Sequence, residues 1–67
     1  MNQIDARGYS CPEPVLMTKK AIQKEGLPLM VLVDGETPLQ NATRFAANHG
    51  HQVSHRAVED GYEITIS

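Results

Sequence analysis

Cysteine is scarce in this chain of 67 residues, which contains a single one, Cys11. One cysteine cannot form an internal disulfide, so the chain lacks the cross-links that usually stabilise small secreted domains. Residues 1–8 have no cationic start followed by an apolar stretch, and the longest apolar run is Leu29–Val33. We therefore expect a cytoplasmic protein with a reduced thiol, which is neither exported nor inserted in a membrane.

Aromatic residues and positive charge are also in short supply. Only Tyr9, Phe45 and Tyr62 are aromatic, too few for a surface on which several bases could stack. Six Lys or Arg against eight Asp or Glu give a net charge of −2, which offers no general attraction for a phosphate backbone. We therefore do not expect nucleic acid as a direct partner. With no repeat, low-complexity segment or linker, residues 1–67 are expected to form a single domain.

Hydrophobic patterning predicts six elements in the order strand, helix, strand, helix, strand, strand. Right-handed connections would place both helices on one face of a four-stranded mixed sheet, which gives a two-layer α/β sandwich with one open sheet face. The continuous apolar run Leu29–Val33 is typical of an interior strand. The predicted elements are a strand at 3–6, a helix from Cys11 or Pro12 to a stop at Gly26, strands at Leu29–Val33, Val53–Val58 and 62–66, and a second helix beginning at Thr37 and stopped by Gly50.

Local signals fix two of the expected boundaries. Thr37, Pro38 and Gln40 have the spacing of a capping box, in which Thr37 would be the N-cap of the second helix. Asp60 and Gly61 are typical of a two-residue turn between the last two strands. The second helix is therefore expected to begin at Thr37, and the hairpin is expected to turn at Asp60 and Gly61.

On a helical wheel, the first predicted helix has an apolar half and a polar half. The two halves contain Val15, Met17, Thr18, Ala21 and Ile22 on the apolar side and Lys19, Lys20, Gln23 and Lys24 on the polar side. Leu16 falls on the polar half, where it adds nothing to the expected core. The lysines are either a solvated face or, together with Leu16, a docking surface for an acidic partner.

Cys11 lies in the tetrapeptide Cys11-Pro12-Glu13-Pro14, between the turn after the first strand and the first helix. The helix N-terminus and Arg7 would lower the pKa of the thiol, whereas the two prolines remove N–H donors and Glu13 adds a like charge. The expected result is a moderately acidic thiol, which suits a relay because the best attacking thiol has a pKa near ambient pH. The alternative interpretation is a small buried hydrophobic residue, a common role of free cysteine.

Other kinds of chemistry have little support in the sequence. His49, His51 and His55 are a weak signal for zinc, which needs three or four converging ligands, and no metal is predicted. Residues 34–36 lack the glycines and lysine of a phosphate-binding loop, and no Ser–His–Asp set or pair of carboxylates stands out. A hydrolase is therefore not expected.

Residues 5–14 and 19–22 resemble the opening of the TusA/SirA-like sulfur-carrier family, whose mark is Cys-Pro-x-Pro at the start of the first helix. Here that CPxP motif is Cys11-Pro12-Glu13-Pro14. Further along, the chain is similar to the N-terminal domain of YedF-type proteins at residues 33–34, 41, 44–46 and 50–51. The resemblance spans nearly the whole chain.

The resemblance implies a two-layer α/β sandwich with a persulfide on Cys11, the single catalytic residue that the motif carries over. Sulfur would pass from a protein donor such as a cysteine desulfurase to an acceptor protein, with no cofactor. The chain would act as a sulfurtransferase-like relay without turnover chemistry of its own. An alternative of a different class is a redox-sensing or regulatory interaction module, in which oxidation of Cys11 changes partner binding. The donor, the acceptor and the oligomeric state stay open at this point.

Overall fold

The computed structural model describes residues 2–9 and 13–67, and it contains six elements in the predicted order. They are β1 Asn2–Asp5, α1 Glu13–Glu25, β2 Leu29–Val33, α2 Glu36–Asn48, β3 Val53–Val58 and β4 Gly61–Ile66. β2 and β3 have the predicted bounds, while β1 begins and ends one residue earlier than expected. The predicted start of the first helix at Cys11 or Pro12 lies outside the described residues.

The four strands form one mixed sheet in the order β1-β2-β4-β3. β1 runs parallel to β2, with Ile4 opposite Val31. β4 runs antiparallel to both of its neighbours, with Ile64 opposite Val31 on one side and His55 on the other. β2 is therefore an interior strand, as its continuous apolar run predicts. β4 is also interior, although it follows β3 along the chain.

Both helices cover the same face of this sheet, which confirms the predicted two-layer α/β sandwich. Alternate residues of a strand point to opposite faces, and those of β2 and β4 that face the helices form the centre of the core. The buried apolar residues are Ala6, Ala21, Leu29, Val31, Val33, Leu39, Ala42, Ala46, Ile64 and Ile66. On the other face Met30 and Leu32 are half-buried and Gln3 and Asp5 are exposed, so this face is open to solvent.

α2 begins at Glu36 rather than at Thr37, so the predicted capping box is wrong. Gly35 is the N-cap, with an extended backbone, and its carbonyl accepts the N–H of Leu39 at 3.2 Å. Pro38 is then the third residue of the helix, where its missing N–H still costs no helical hydrogen bond. Because proline is tolerated throughout the first turn, its position could not distinguish the two starting points.

The β3–β4 hairpin turns at Glu59 and Asp60, one residue earlier than the turn predicted at Asp60 and Gly61. Gly61 is instead the first residue of β4. A side chain at Gly61 would overlap the carbonyl oxygen of Val33 and lie 2.8 Å from the Cα of Asp34. Glycine is therefore needed here because two backbones approach closely, and not because of the turn.

The helices end where the sequence predicts. α1 ends directly before Gly26, and α2 ends two residues before Gly50. Each helix has 13 residues. Neither is long and apolar enough to cross a membrane.

Candidate functional site

The predicted site residue, Cys11, lies outside the described residues, so the site is built here from the segments on either side of it. β1 and β2 are parallel, so their carboxyl ends lie at the same edge of the sheet, where α2 also begins. The β3–β4 turn reaches this edge too, because Tyr62 pairs with Val33 at the end of β2. We call it the carboxyl edge. In α/β proteins the crevice outside the carboxyl ends of the strands is a common place for functional sites.

The chain that leads to Cys11 is tied to the neighbouring loop by Asp34. The Ala6 N–H donates to the Leu32 carbonyl at 2.8 Å, which extends the pairing of β1 with β2. Two residues later the Gly8 N–H donates to Oδ2 of Asp34 at 2.7 Å. Gly8 has a φ of +86°, a conformation that glycine adopts without steric cost. The connection after β1 is therefore held against the end of β2 up to Gly8, three residues before Cys11.

Arg7 is engaged with carboxylates at the carboxyl edge. Its Nε and Nη2 donate to Oδ1 and Oδ2 of Asp5, each at 2.9 Å, and its backbone N–H donates to Oδ1 at 3.0 Å. Its Nη1 lies 3.9 Å from Oδ2 of Asp60. The side-chain hydrogen bonds are the main reason why the pKa of Asp5 falls from 3.8 to about 2 and why the pKa of Arg7 rises.

The sequence suggested that Arg7 lowers the pKa of the Cys11 thiol. Its pairing with Asp5 makes this expected effect smaller. Asp5 neutralises the guanidinium directly, and the charges of Asp60 and Asp34 act on it as well. A cation that is already compensated in this way stabilises a nearby thiolate less than a free one.

On the other side of Cys11, the start of α1 is fixed by Pro14 and Thr18. Both side chains are fully buried, and the Thr18 hydroxyl donates to the Pro14 carbonyl at 2.8 Å. Glu13, by contrast, is exposed. Helical periodicity placed Thr18 on the apolar half of the helix, but Pro14 was not identified as a core residue. The signal was present, because residues four apart share one face of a helix.

The polar half of α1 faces solvent, as predicted. Lys19, Lys20 and Lys24 are exposed, and 41% of the Leu16 surface is accessible. Tyr9, two residues before Cys11 in the sequence, is 52% exposed. The helical register predicted for Leu16 is therefore confirmed, and the chain exposes a large apolar or aromatic side chain both before and after Cys11.

A groove between the two helices was not foreseen from the sequence. It has a volume of about 150 Å³ and is lined by Lys19, Ile22, Gln23, Phe45, His49 and His51. The rings of Phe45 and His49 form one wall, with their centroids 4.3 Å apart. The spacing of four residues indicates that these two rings meet on α2. The groove itself depends on how α1 packs against α2, which no local pattern shows.

The three histidines do not converge. His49 and His51 line the groove, whereas His55 lies on β3 beside Tyr62, with ring centroids 6.3 Å apart. Within residues 2–9 and 13–67, no three His, Cys, Asp or Glu side chains are placed to hold a metal ion. Since Cys11 is not in that range, the expected absence of a metal site stays a prediction.

Known proteins resemble this chain over most of its length. The family model described as Sulfurtransferase TusA matches residues 2–67. A protein of Methanocaldococcus jannaschii, named as a candidate sulfur carrier, is 46% identical over 55 residues, which cover 79% of this chain and 73% of that protein. The crystal structure of a SirA-like protein from Desulfitobacterium hafniense superposes with a TM-score of 0.90 and 37% identity. That match covers 98% of this chain and 95% of the other, so it includes nearly the whole sandwich.

Proposed function

This chain belongs to the TusA/SirA-like family, and from that premise we propose that it is a sulfur carrier whose Cys11 holds the sulfur as a persulfide. The observation that carries the proposal is the family match over residues 2–67, a range that includes Cys11 in its CPxP motif. The anchored segments on either side support it, because a relay needs a thiol that is presented at a defined place. The cytoplasm, where thiols stay reduced, is the compartment that fits this role.

In the proposed transfer, the Cys11 thiolate attacks the outer sulfur of a persulfide on a donor protein. A bond forms between the Cys11 sulfur and that outer sulfur, and the sulfur–sulfur bond of the donor persulfide breaks. The donor cysteine leaves as a thiolate, while the transferred sulfur keeps its proton. One sulfur atom moves, and no external oxidant or reductant is consumed. A thiolate of the acceptor protein then removes the outer sulfur from Cys11 by the same exchange.

The donor and the acceptor are proteins that reach Cys11 from the side of α1. Leu16 offers them an exposed apolar contact, and the exposed lysines of α1 favour a partner with acidic residues. The opposite charge dominates at the carboxyl edge, where Asp5, Asp34 and Asp60 surround Arg7. We therefore place the docking surface on the exposed half of α1 and not on the carboxylates.

Intact-mass spectrometry tests the persulfide on Cys11. After incubation with a cysteine desulfurase and free cysteine, we expect the protein to gain the mass of one sulfur atom, which a thiol reductant removes. A Cys11→Ser variant should fold normally and gain nothing. The proposal is wrong if the protein gains no reducible sulfur from several desulfurases and glutathione persulfide loads it no better than a denatured sample.

A further inference from the structure

Asp34 makes a contact at the carboxyl edge that neither the strands nor the helices require. β2 ends at Val33, and Gly35 provides the N-cap of α2, so Asp34 belongs to the short connection between them. Its side chain is exposed, and its Oδ2 accepts the Gly8 N–H at 2.7 Å. An exposed hydrogen bond of this kind adds little to the overall free energy of unfolding. Its effect is local, on the loop that contains Gly8.

We propose that Asp34 is a positioning residue for sulfur transfer, because its carboxylate holds the segment that leads into Cys11. This inference rests on the proposed function of Cys11. In the described part of this connection, residues 6–9, the Ala6 N–H is the last one that donates to β2. Beyond that point, Gly8 is the next backbone group anchored to another part of the fold.

The distance along the chain makes this anchor relevant to the thiol. Gly8 is three residues before Cys11, and Pro14 is buried three residues after it. Cys11 therefore has an anchored residue three positions away on each side in the sequence. Exchange between two proteins requires the attacking and the attacked sulfur atoms to be aligned, and a displacement of about 1 Å at a reacting centre can slow a reaction by about 10²-fold. Releasing Gly8 would remove the anchor on one side of Cys11.

Two variants separate the hydrogen bond from the charge of Asp34. Asp34→Asn keeps a side-chain oxygen that can accept the Gly8 N–H, but it removes the negative charge. Asp34→Ala removes both. Asp60→Ala is the matched control, because it removes a carboxylate that lies 3.9 Å from the Arg7 guanidinium and, among the described residues, accepts no hydrogen bond from a backbone N–H of the loop.

The test compares transfer between proteins with the intrinsic reactivity of the thiol. We expect Asp34→Ala to slow loading from a cysteine desulfurase with free cysteine by about tenfold, while its alkylation by iodoacetamide stays within about twofold of the original protein. Asp34→Asn and Asp60→Ala should load at nearly the original rate. Amide hydrogen exchange of Gly8 should be accelerated in Asp34→Ala and not in the other two.

Other outcomes overturn the inference in different ways. Equal loading by Asp34→Ala and the original protein shows that the anchor is irrelevant, and equal slowing by Ala and Asn shows that charge is responsible. Should Asp34→Ala fail to fold, Asp34→Glu keeps the charge but moves the oxygens outward by one methylene, and a normal loading rate for it also contradicts the inference. If the original protein itself gains no sulfur, the proposed function of Cys11 is wrong, and the role of Asp34 that rests on it is wrong as well.

Discussion

Gly61 illustrates how much one residue can decide in a chain of this size. Its φ is +148°, and a Cβ there would overlap the carbonyl oxygen of Val33 on the neighbouring strand β2. Gly50 provides a comparison, because its φ is +80° but a Cβ at that position would have no neighbouring atom within 4 Å. Both glycines have a positive φ that other residues rarely adopt, and of the two only Gly61 also lacks space for a side chain.

We expect Gly61→Ala to destabilise the protein by ~3 kcal/mol or more, because backbone atoms of β2 cannot move aside without breaking the sheet. Gly50→Ala should cost about 1 kcal/mol, the usual penalty of a left-handed conformation for alanine. Urea unfolding of both variants measures the difference. Similar losses in the two proteins would mean that backbone conformation alone, and not the contact with Val33, governs Gly61.

At the scale of elements, the 13 residues of α1 form one face that packs against the core and another that is exposed to solvent. Pro14, Thr18 and Ala21 face the core, while Leu16 and the lysines face solvent. From Val15 onward, helical periodicity was sufficient to predict this division, because the sequence keeps its polar residues on one side of the helix, whereas the burial of Pro14 was not predicted. The exact ends of elements were less predictable. Both the start of α2 and the β3–β4 turn moved by one residue, since proline and glycine signals each fit two neighbouring registers.

The exposed position of Leu16 leads to a prediction about docking. Leu16→Ser should leave the melting temperature nearly unchanged and slow sulfur loading from a desulfurase by roughly tenfold, since a buried apolar contact contributes ~1–2 kcal/mol to docking. Thermal unfolding and mass-spectrometric loading kinetics are the measurements. Normal loading would move the docking surface away from Leu16, and a melting temperature lowered by several degrees would place Leu16 in the core.

Met17→Ser is the control for this experiment. Met17 neighbours Leu16 in the sequence but packs against the core, so its replacement should lower the free energy of unfolding by ~2 kcal/mol. Loading should then be slowed only to the extent that the protein unfolds. The pair of variants distinguishes a surface contact from a general loss of stability.

At the scale of the whole molecule, the sequence predicted the element order, the shared face of the helices and the interior position of β2. These features follow from local periodicity and from the preferred handedness of connections. The interior position of β4, the groove beside Phe45 and the Asp34–Gly8 hydrogen bond were not predicted. Each of them depends on residues that are distant in the sequence, for which one chain gives no pairing signal. Cys11 was identified by its motif, and its catalytic role stays a proposal.

The carboxyl edge predicts how the whole molecule responds to acid. Because Arg7 holds the pKa of Asp5 at about 2 in the folded protein, below its usual 3.8, the ionised form of Asp5 stabilises the fold. This contribution is complete above pH 3.8 and is lost as the pH falls through about 2. The difference in melting temperature between the original protein and Asp5→Asn should therefore be constant near neutral pH and shrink in strong acid.

Glu25→Gln serves as the control for the acid experiment, because Glu25 is exposed and its side chain forms no salt bridge within the described residues. Its effect on the melting temperature near neutral pH should therefore be small. If Asp5→Asn also behaves in this way, the contact between Asp5 and Arg7 does not persist in solution.

The position of β4 also has a consequence for biosynthesis. Proteins emerge from the ribosome with the N-terminus first, and β4 is the last strand along the sequence, yet it separates β2 from β3 in the finished sheet. A nascent chain that ends before Gly61 has β3 with no neighbour to pair with and β2 paired only with β1. The sheet can therefore close only after β4 has left the ribosome. Until then the apolar strand β2 lacks one of its two neighbours, and an unpaired strand edge of this kind can pair with other chains.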